Sequence, residues 1–290
     1  MESIFNTIII SFIHGLVYGT LMFLIASGLT IVFGMMGVLN LAHASFYMFG
    51  GYFGATLLSL TNNFWLSLIT APILTAATGS LTEWFLIRPI HSAGLIFELL
   101  LTIGLSLVML EIVKWGWGTE PQPMLIPTVL SGSVKILGSP YPVYRLFMFG
   151  LGLAVILGLT IILTKTNLGM IVRAAISDAE MVSSLGVNTP LTFNFVFALG
   201  AGLAGIAGVI AGPLLMVYPG MAAAIGMSAF VVVAIGGLGS LSGAVLSSFL
   251  IGQLQSFGVL LVPKFSLVLI FLLMAIVLAM KPQGLFGEKG

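Results

Sequence analysis

Few side chains of this chain have the types and spacing that chemistry requires. Asn40, His43 and Ser45 follow one another closely in an apolar stretch that Gly34 and Gly37 interrupt. A serine near a histidine is the start of an acyl-transfer site, but such a site needs a third group to orient the base, and the sequence offers none. We therefore predict no enzyme and no catalytic residue.

These polar residues have two other interpretations. They could form a short turn between two membrane spans at the interface. Alternatively, they break a helix at hydrocarbon depth, where polar groups need partners in the protein or in water, and line a path for a solute. A second interrupted segment in the other half favours the path, because transporters pair such breaks. The predicted path residues are Asn40, His43, Ser45, Gly236, Gly237 and Gly239.

The other polar feature is an island of charge, residues 165–190, which separates two long hydrophobic halves. It holds Lys165, Arg173, Asp178 and Glu180. We interpret it as a segment that protrudes from a membrane to meet another protein. The alternative is an interfacial helix that only connects two spans.

Within the island, residues 177–180 read Ser-Asp-Ala-Glu, which fits a capping box with Ser177 as the N-cap. A helix of about two turns should therefore begin at Asp178. Met181 and Leu185 are four residues apart and share one of its faces. Gly186 can adopt the left-handed conformation that ends it.

The elements that position these residues must be membrane helices. The chain has 290 residues, of which 59% are hydrophobic and 6% charged, and its mean hydropathy is +1.23. Residues 3–82 contain no Asp, Glu, Lys or Arg. We predict an all-α, polytopic integral membrane protein with about eight or nine transmembrane helices, some broken or re-entrant, in contact with lipid.

Several other classes are excluded by composition. A net charge of +1, without a basic patch, gives no case for nucleic acid. The absence of cysteine removes disulfides and thiolate metal sites, and we predict no metal and no cofactor. Residues 1–12 lack a charged leader and a cleavage site, so they are expected to begin the first span.

The apolar runs give nine pieces. They cover residues 8–33, 46–60, 64–87, 95–113, 143–164, 190–215, 227–235, 241–260 and 265–280. Arg88 and Pro89 should stop the third, Thr189 should cap the sixth, and Glu98 should reach the headgroups. In the sixth, residues 200, 204, 208 and 212 form a small-residue stripe for tight helix packing.

Basic residues predict the orientation. Short basic stretches occur at Arg88, which follows three spans, in the island, and in the tail with Lys281 and Lys289, and the positive-inside rule places them in the cytoplasm. Residues 190–280 should then cross four times, and the N-terminus should lie outside. We interpret residues 1–290 as a single transmembrane domain with a cytoplasmic loop at 165–190 and a loop at 115–142 on the outer side.

Residues 173–188 resemble the cytoplasmic coupling motif of the membrane permeases of branched-chain amino acid ABC importers. Residues 28–43, 235–245 and 281–287 are similar to other motifs of that family, in the same order. In the family, the motif helix docks in a groove of the ATPase subunit. The resemblance therefore implies that the ATPase is contacted by Arg173, Ser177, Asp178, Ala179, Glu180, Met181, Leu185 and Gly186.

The resemblance implies a permease subunit of a bacterial inner-membrane importer for neutral or zwitterionic amino acids. Its partners would be cytoplasmic ATP-binding subunits, a second permease, identical or related, and a periplasmic solute-binding protein. The chain itself has no Gly-x-x-x-x-Gly-Lys-Ser/Thr phosphate-binding motif, so ATP must be bound by a partner.

Alternatives remain open at this point. Relatives of the family that carry urea, short amides or other neutral amino acids look similar. A secondary transporter would place Asp, Glu or His deep in a span, where only His14 and His43 qualify. A channel would conduct without ATP or a binding protein.

Overall fold

The computed structural model describes residues 2–287, so Lys289 lies outside the described residues. Seven helical segments are long and apolar enough to cross a membrane. They are α1 (Glu2–Met36), α3 (Phe64–Thr82) continuing to the end of α4 (Arg88–Ile90), α5 (Leu95–Trp117), α6 (Val143–Lys165), α9 (Thr189–Leu215), α11 (Leu241–Leu261) and the segment Pro263–Met280, which includes α12 (Ser266–Met280). The prediction of a polytopic helical membrane protein is confirmed.

Two further apolar helices, α2 (His43–Thr61) and α10 (Met221–Gly236), are not among those seven segments. Helix α2 begins beside the middle of α1, where His43 bonds to the carbonyl of Ile25. Helix α10 begins beside the middle of α2, where Gly51 packs against Met221. Helix α1 ends at Met36 before α2 begins, and α10 ends at Gly236 before α11 begins, so both predicted breaks are present. Of the nine predicted pieces, seven are both long and apolar enough to cross fully.

The helices are ordered between two ends of the bundle. A small antiparallel hairpin, β1 (Ser133–Ile136) and β2 (Ser139–Pro142), marks what we call the hairpin end, where Asn6 donates to the carbonyl of Leu137. Residues 281–287 mark the tail end, where the Leu285 N–H donates to the carbonyl of Ile235 over 2.8 Å. Helix α2 therefore runs toward the hairpin end, and α10 runs toward the tail end.

Glycine determines how closely α9 approaches its neighbours. A Cβ at Gly208 would collide with the backbone carbonyl of Tyr47 in α2, and one at Gly50 would collide with the Cα of Gly205. Gly200 faces Gly28 of α1 in the same way. Gly200 and Gly208 of the predicted stripe thus allow backbone-to-backbone contact, and α1 and α9 are the most buried of the long helices.

The sequence predicted that the third apolar piece stops at Arg88 and Pro89, but the helix continues past both residues. Residues Glu83–Ile87 form a π turn in which the Arg88 N–H donates to the carbonyl of Glu83. This wider turn relieves the clash between the Pro89 ring and the carbonyl four residues earlier, so α4 (Arg88–Ile90) continues the same helix.

Two carboxyl groups near this turn are buried. Glu98 is 4% exposed and bonds to His91 Nδ1 over 2.7 Å, so the expectation that it reaches the headgroups was wrong. Glu83, which the sequence did not single out, is 1% exposed and accepts from Asn194 Nδ2 over 2.6 Å. A buried carboxylate requires such donors, because its desolvation is otherwise uncompensated.

Replacing Asn194 with leucine would remove the amide that donates to Glu83. A hydrogen bond to a charged group contributes about 1.5–3 kcal/mol, so we expect the free energy of unfolding of Asn194→Leu to fall by about 2 kcal/mol. Thermal unfolding of the purified chain, followed by tryptophan fluorescence, measures this. Adding Glu83→Gln removes the buried charge and should recover most of the loss, whereas an unchanged midpoint in Asn194→Leu would contradict the role of this bond.

Candidate functional site

The island forms two consecutive helices outside the bundle, α7 (Asn167–Ser177) and α8 (Ala179–Ser184). We call residues 167–186 the coupling segment. The chain turns sharply between α6 and α7, where Thr166 Oγ1 accepts from the N–H of Gly169 over 3.2 Å. A side chain at Gly169 would collide with the carbonyl of Leu163, so the turn requires glycine.

The predicted capping box is wrong by one residue. Ser177 is the last residue of α7, and Asp178 has an extended backbone with φ −159°. The Asp178 carboxylate therefore caps α8 and accepts from the Met181 N–H over 2.9 Å. Nothing is described for the side chains of Ser177 and Ala179.

The other end of α8 follows the prediction. Gly186 has φ +85°, the left-handed conformation that terminates a helix, and its N–H donates to the carbonyl of Ser183. The N-cap of α9 is also shifted by one residue from the prediction. Asn188, rather than Thr189, caps α9 and accepts from the N–H of Leu191. Asn is the better N-cap of the two, which explains the shift.

Helix α7 was not predicted. Its signal was present, because the apolar residues 168, 172, 175 and 176 have the spacing of one helical face, and Thr166 is a good N-cap. Val172 and Ala175 are 6% and 4% exposed and belong to the same core as α1. Helix α7 therefore fastens the coupling segment to the bundle.

The outer surface of the coupling segment is apolar. Met181 and Leu185 are 59% and 77% exposed, while Val182 of the same helix is buried. Arg173 and Glu180 are also exposed. The surface-exposed apolar residues of the segment are Leu168, Met170, Ile176, Met181 and Leu185. A surface of this kind is typical of a protein contact.

The coupling segment also reaches the ends of the two broken regions. Arg173 and Ile176 line a cavity of about 350 Å³ together with Gly34 of α1 and Gly239. Gly34 and Gly239 approach closely, because a Cβ built on Gly34 would lie only 3.0 Å from the Cα of Gly239. Displacement of α7 would therefore act on the end of α1 and on the bend between α10 and α11.

Asn40, His43 and Ser45 meet at a second cavity, of about 500 Å³. All three are buried, at 2–3% exposure. His43 Nε2 lies 3.1 Å from the carbonyl of Ile25, and because a carbonyl only accepts, Nε2 carries the donated hydrogen. A carbonyl partner holds the imidazole in place, and it does not supply the carboxylate that a catalytic triad would need.

The three predicted glycines are located elsewhere. Gly236 packs against Gly243, Gly237 has φ +101° and lies against Gly287, and Gly239 lies against Gly34. They form the bend at the tail end of α10, whereas the cavity at His43 is lined by residues from the other end of α10, around Gly220 and Ala223. That these glycines line a solute path stays a prediction. The end of α10 that meets the cavity at His43 is its N-terminal end, where Tyr218-Pro219-Gly220 signals a turn.

His14 lies apart from both groups. Its ring contacts the hydroxyl of Tyr141 at 3.2 Å and the guanidinium of Arg145, beside a cavity of about 530 Å³ near the hairpin. It connects α1 to the hairpin and to the start of α6. His14 therefore packs between these elements.

The described chain combines an internal cavity between α2 and α10, seven long apolar segments and an exposed amphipathic segment. Together these features define a multi-pass transport protein of the membrane. A family model described as "Branched-chain amino acid transport system / permease component" matches residues 11–278. The chain belongs to this family, as its sequence motifs indicated.

Individual relatives agree. The chain is 29% identical to the high-affinity branched-chain amino acid transport system permease protein BraD of Pseudomonas aeruginosa, over 95% of this chain and 94% of that protein. It is 28% identical to LivH of Salmonella typhimurium over the same shares. PsaBC of Streptococcus pneumoniae, solved in complex with Fab, has a similar fold, with a TM-score of 0.50 at 14% identity over 92% of this chain and 89% of that chain.

Proposed function

We propose that this chain is the permease subunit of an ATP-driven importer in a bacterial inner membrane, and that its solutes are neutral or zwitterionic amino acids with branched apolar side chains. The observation that carries the proposal is the coupling segment. Its apolar tip, with Met181 and Leu185, is exposed, while Val172 and Ala175 anchor its base to the α1 core. Such a segment can receive movement from a partner and pass it to the bundle.

The orientation follows from the same assignment. The coupling segment and residues 281–287 face the cytoplasm, where ATP-binding subunits would dock on Met181, Leu185 and the neighbouring residues. Residues 115–142, including the hairpin, face the periplasm and a solute-binding protein. The N-terminus of α1 lies on the periplasmic side.

A second permease, identical or related, would close the solute path. The cavity at His43 is open on one side, where Leu41, Leu107 and Met227 are 42%, 58% and 58% exposed. The residues lining this cavity include no Asp, Glu, Lys or Arg. A path without fixed charges suits a neutral or zwitterionic solute, which it can also release.

The test is to co-express the chain with its candidate ATPase, permease and binding-protein partners, and to reconstitute the purified assembly in liposomes. We expect leucine, isoleucine or valine on the binding protein to stimulate ATP hydrolysis and uptake. If only urea or short amides stimulate hydrolysis and uptake, the proposal of an importer stands, but the proposed amino acid solute is wrong. Uptake driven by a proton gradient without the ATPase, or passive leak through the chain alone, would overturn the proposal.

A further inference from the structure

The helices α2 and α10 both meet the cavity at His43 with their N-terminal ends. The start of α2 and the residues just before it contribute Asn40, Leu41, His43 and Ala44 to its wall, and the start of α10 with its N-cap contributes Gly220, Ala222 and Ala223. The helices run toward opposite ends of the bundle, so their N-termini converge near its middle. Each helix N-terminus carries a partial positive charge and points N–H groups outward.

Several of these N–H groups have no protein acceptor. Neither N-cap residue, Ala42 for α2 and Gly220 for α10, supplies a side-chain cap. Across residues 2–287, the structure gives no hydrogen-bond acceptor to the first-turn amides of Ala44, Ala222 and Ala223. Helix ends in a membrane protein need other partners for such donors, and an anion at the two N-termini would provide them.

Asn40 adds an independent observation. Its side chain is 2% exposed and lies on the cavity wall. Its Oδ1 accepts from the N–H of Ala42 over 3.0 Å, which fixes the orientation of the amide. Its Nδ2 donor has no partner within the described chain. A buried donor without a partner is destabilising, so such groups are kept where something else satisfies them.

We propose that this cavity is a carboxylate subsite, in which the α-carboxylate of an amino acid accepts from Asn40 Nδ2 and from the first-turn amides of α2 and α10. The proposal rests on the proposed function and adds the part of the solute that the permease recognises. Leu29, Leu110 and Phe230 line the same cavity and would contact the apolar side chain of the solute.

The balance of charge suits transport. The subsite would use helix dipoles and one neutral amide, and the cavity is lined by no lysine or arginine. An ion pair in a low-dielectric site would hold the carboxylate strongly, whereas partial charges stabilise it and still allow release. Widening the space between α2 and α10 would separate the two N-termini and weaken the subsite.

The absence of cysteine from the chain makes a direct test simple. Ala223→Cys places one thiol at the N-terminus of α10, and its rate of modification by a methanethiosulfonate reagent reports access to the cavity. For the full-length chain in nanodiscs, we expect L-leucine to slow labelling by the factor 1 + [L]/Kd, where [L] is the leucine concentration. L-leucinamide, which lacks the carboxylate, should not slow labelling at the same concentration.

Asn40→Asp in this background is the decisive variant, because it keeps the acceptor for Ala42 and replaces only the unpartnered donor with a negative oxygen. We expect it to weaken protection by leucine at least about tenfold, the loss typical of a hydrogen bond to a charged group. Ser106→Ala is the matched control. Ser106 lines the same cavity, but its hydroxyl donates to its own helix, at Ile103, so protection should be unchanged.

Equal protection by leucine and leucinamide, protection by neither, or full protection in Asn40→Asp would overturn the subsite. The result is separable from the proposed function, since the labelling assay needs no ATPase. If leucine stimulates ATP hydrolysis in the assembled importer but protection does not depend on the carboxylate, the proposed function stands and the subsite is wrong. If protection depends on the carboxylate but leucine does not stimulate hydrolysis, the subsite stands and the proposed function is wrong.

Discussion

Leu185→Asp combined with Met181→Asp should reduce solute-stimulated ATP hydrolysis by the assembled importer to its unstimulated level. The two side chains form the exposed tip of α8, and docking would bury them against the ATPase. Full burial of an apolar side chain contributes about 1.5–3 kcal/mol, so losing both weakens docking by about a hundredfold or more. Co-purification of the ATPase with the permease, together with ATP hydrolysis, measures the effect.

Ser183→Asp is the matched control for the charged tip. Ser183 is exposed on the same helix but on a different face from Met181 and Leu185, so the added charge should leave stimulation near its original level. The thermal midpoint of the isolated chain should not change in either variant, because all three residues are exposed. Full stimulation in the double variant would show that the ATPase docks elsewhere.

Gly208→Val should prevent stable packing of α9 on α2. The space that a Cβ would occupy lies against the carbonyl of Tyr47 and 2.7 Å from the amide nitrogen of Gly51, and neither backbone can move without separating the helices. Overpacking in a tightly packed core costs about 1–3 kcal/mol, and a backbone collision belongs at or above the upper end. We expect little monodisperse protein after detergent extraction, measured by size-exclusion chromatography.

Gly104→Val provides the comparison for this effect. Gly104 lies in α5, and no atom outside its own helix lies within 4 Å of the position a Cβ would take. The same change of residue should therefore leave the yield and the thermal midpoint close to those of the unmodified chain. Equal behaviour of the two variants would contradict the close approach of α9 and α2.

The general architecture could be predicted because it depends on local composition. Long apolar runs require helices in a bilayer, and the glycine-rich interruptions at residues 34–45 and 236–243 indicated the broken regions. The stripe at Gly200 and Gly208 indicated close helix contact, and Gly186 indicated the end of α8. Each of these signals is contained in a few neighbouring residues.

Features that depend on neighbouring elements could not be predicted in the same way. Ser177 and Asp178 are both good N-caps, and the choice between them was made by the point at which α7 ends. The π turn before Pro89 contains Glu83, whose buried carboxylate contacts Asn194 of α9, an element far along the chain. Residue type alone contains neither piece of information.

The candidate site shows the same division between local signals, which the sequence contains, and contacts between distant elements, which it does not. Asn40, His43 and Ser45 meet at one cavity, because they are close in sequence and share one short turn. Their partners across the cavity, at Gly220 and Ala223, come from a helix that starts far along the chain, and only the three-dimensional structure brings them together. The glycines 236, 237 and 239 looked equivalent by composition but lie at the opposite end of that helix.

The tail has a consequence for biosynthesis. The N–H groups of Leu285 and Phe286 donate to the carbonyls of Ile235 and Gly236, and Gly287 fits against Gly237. These residues follow α12 in the chain, yet they complete a bend whose own residues are inserted into the membrane earlier. Because domains fold as their chains emerge, the α10–α11 bend stays unfinished until residues 285–287 have been synthesised. A chain that terminates prematurely would therefore expose this bend to proteolytic quality control.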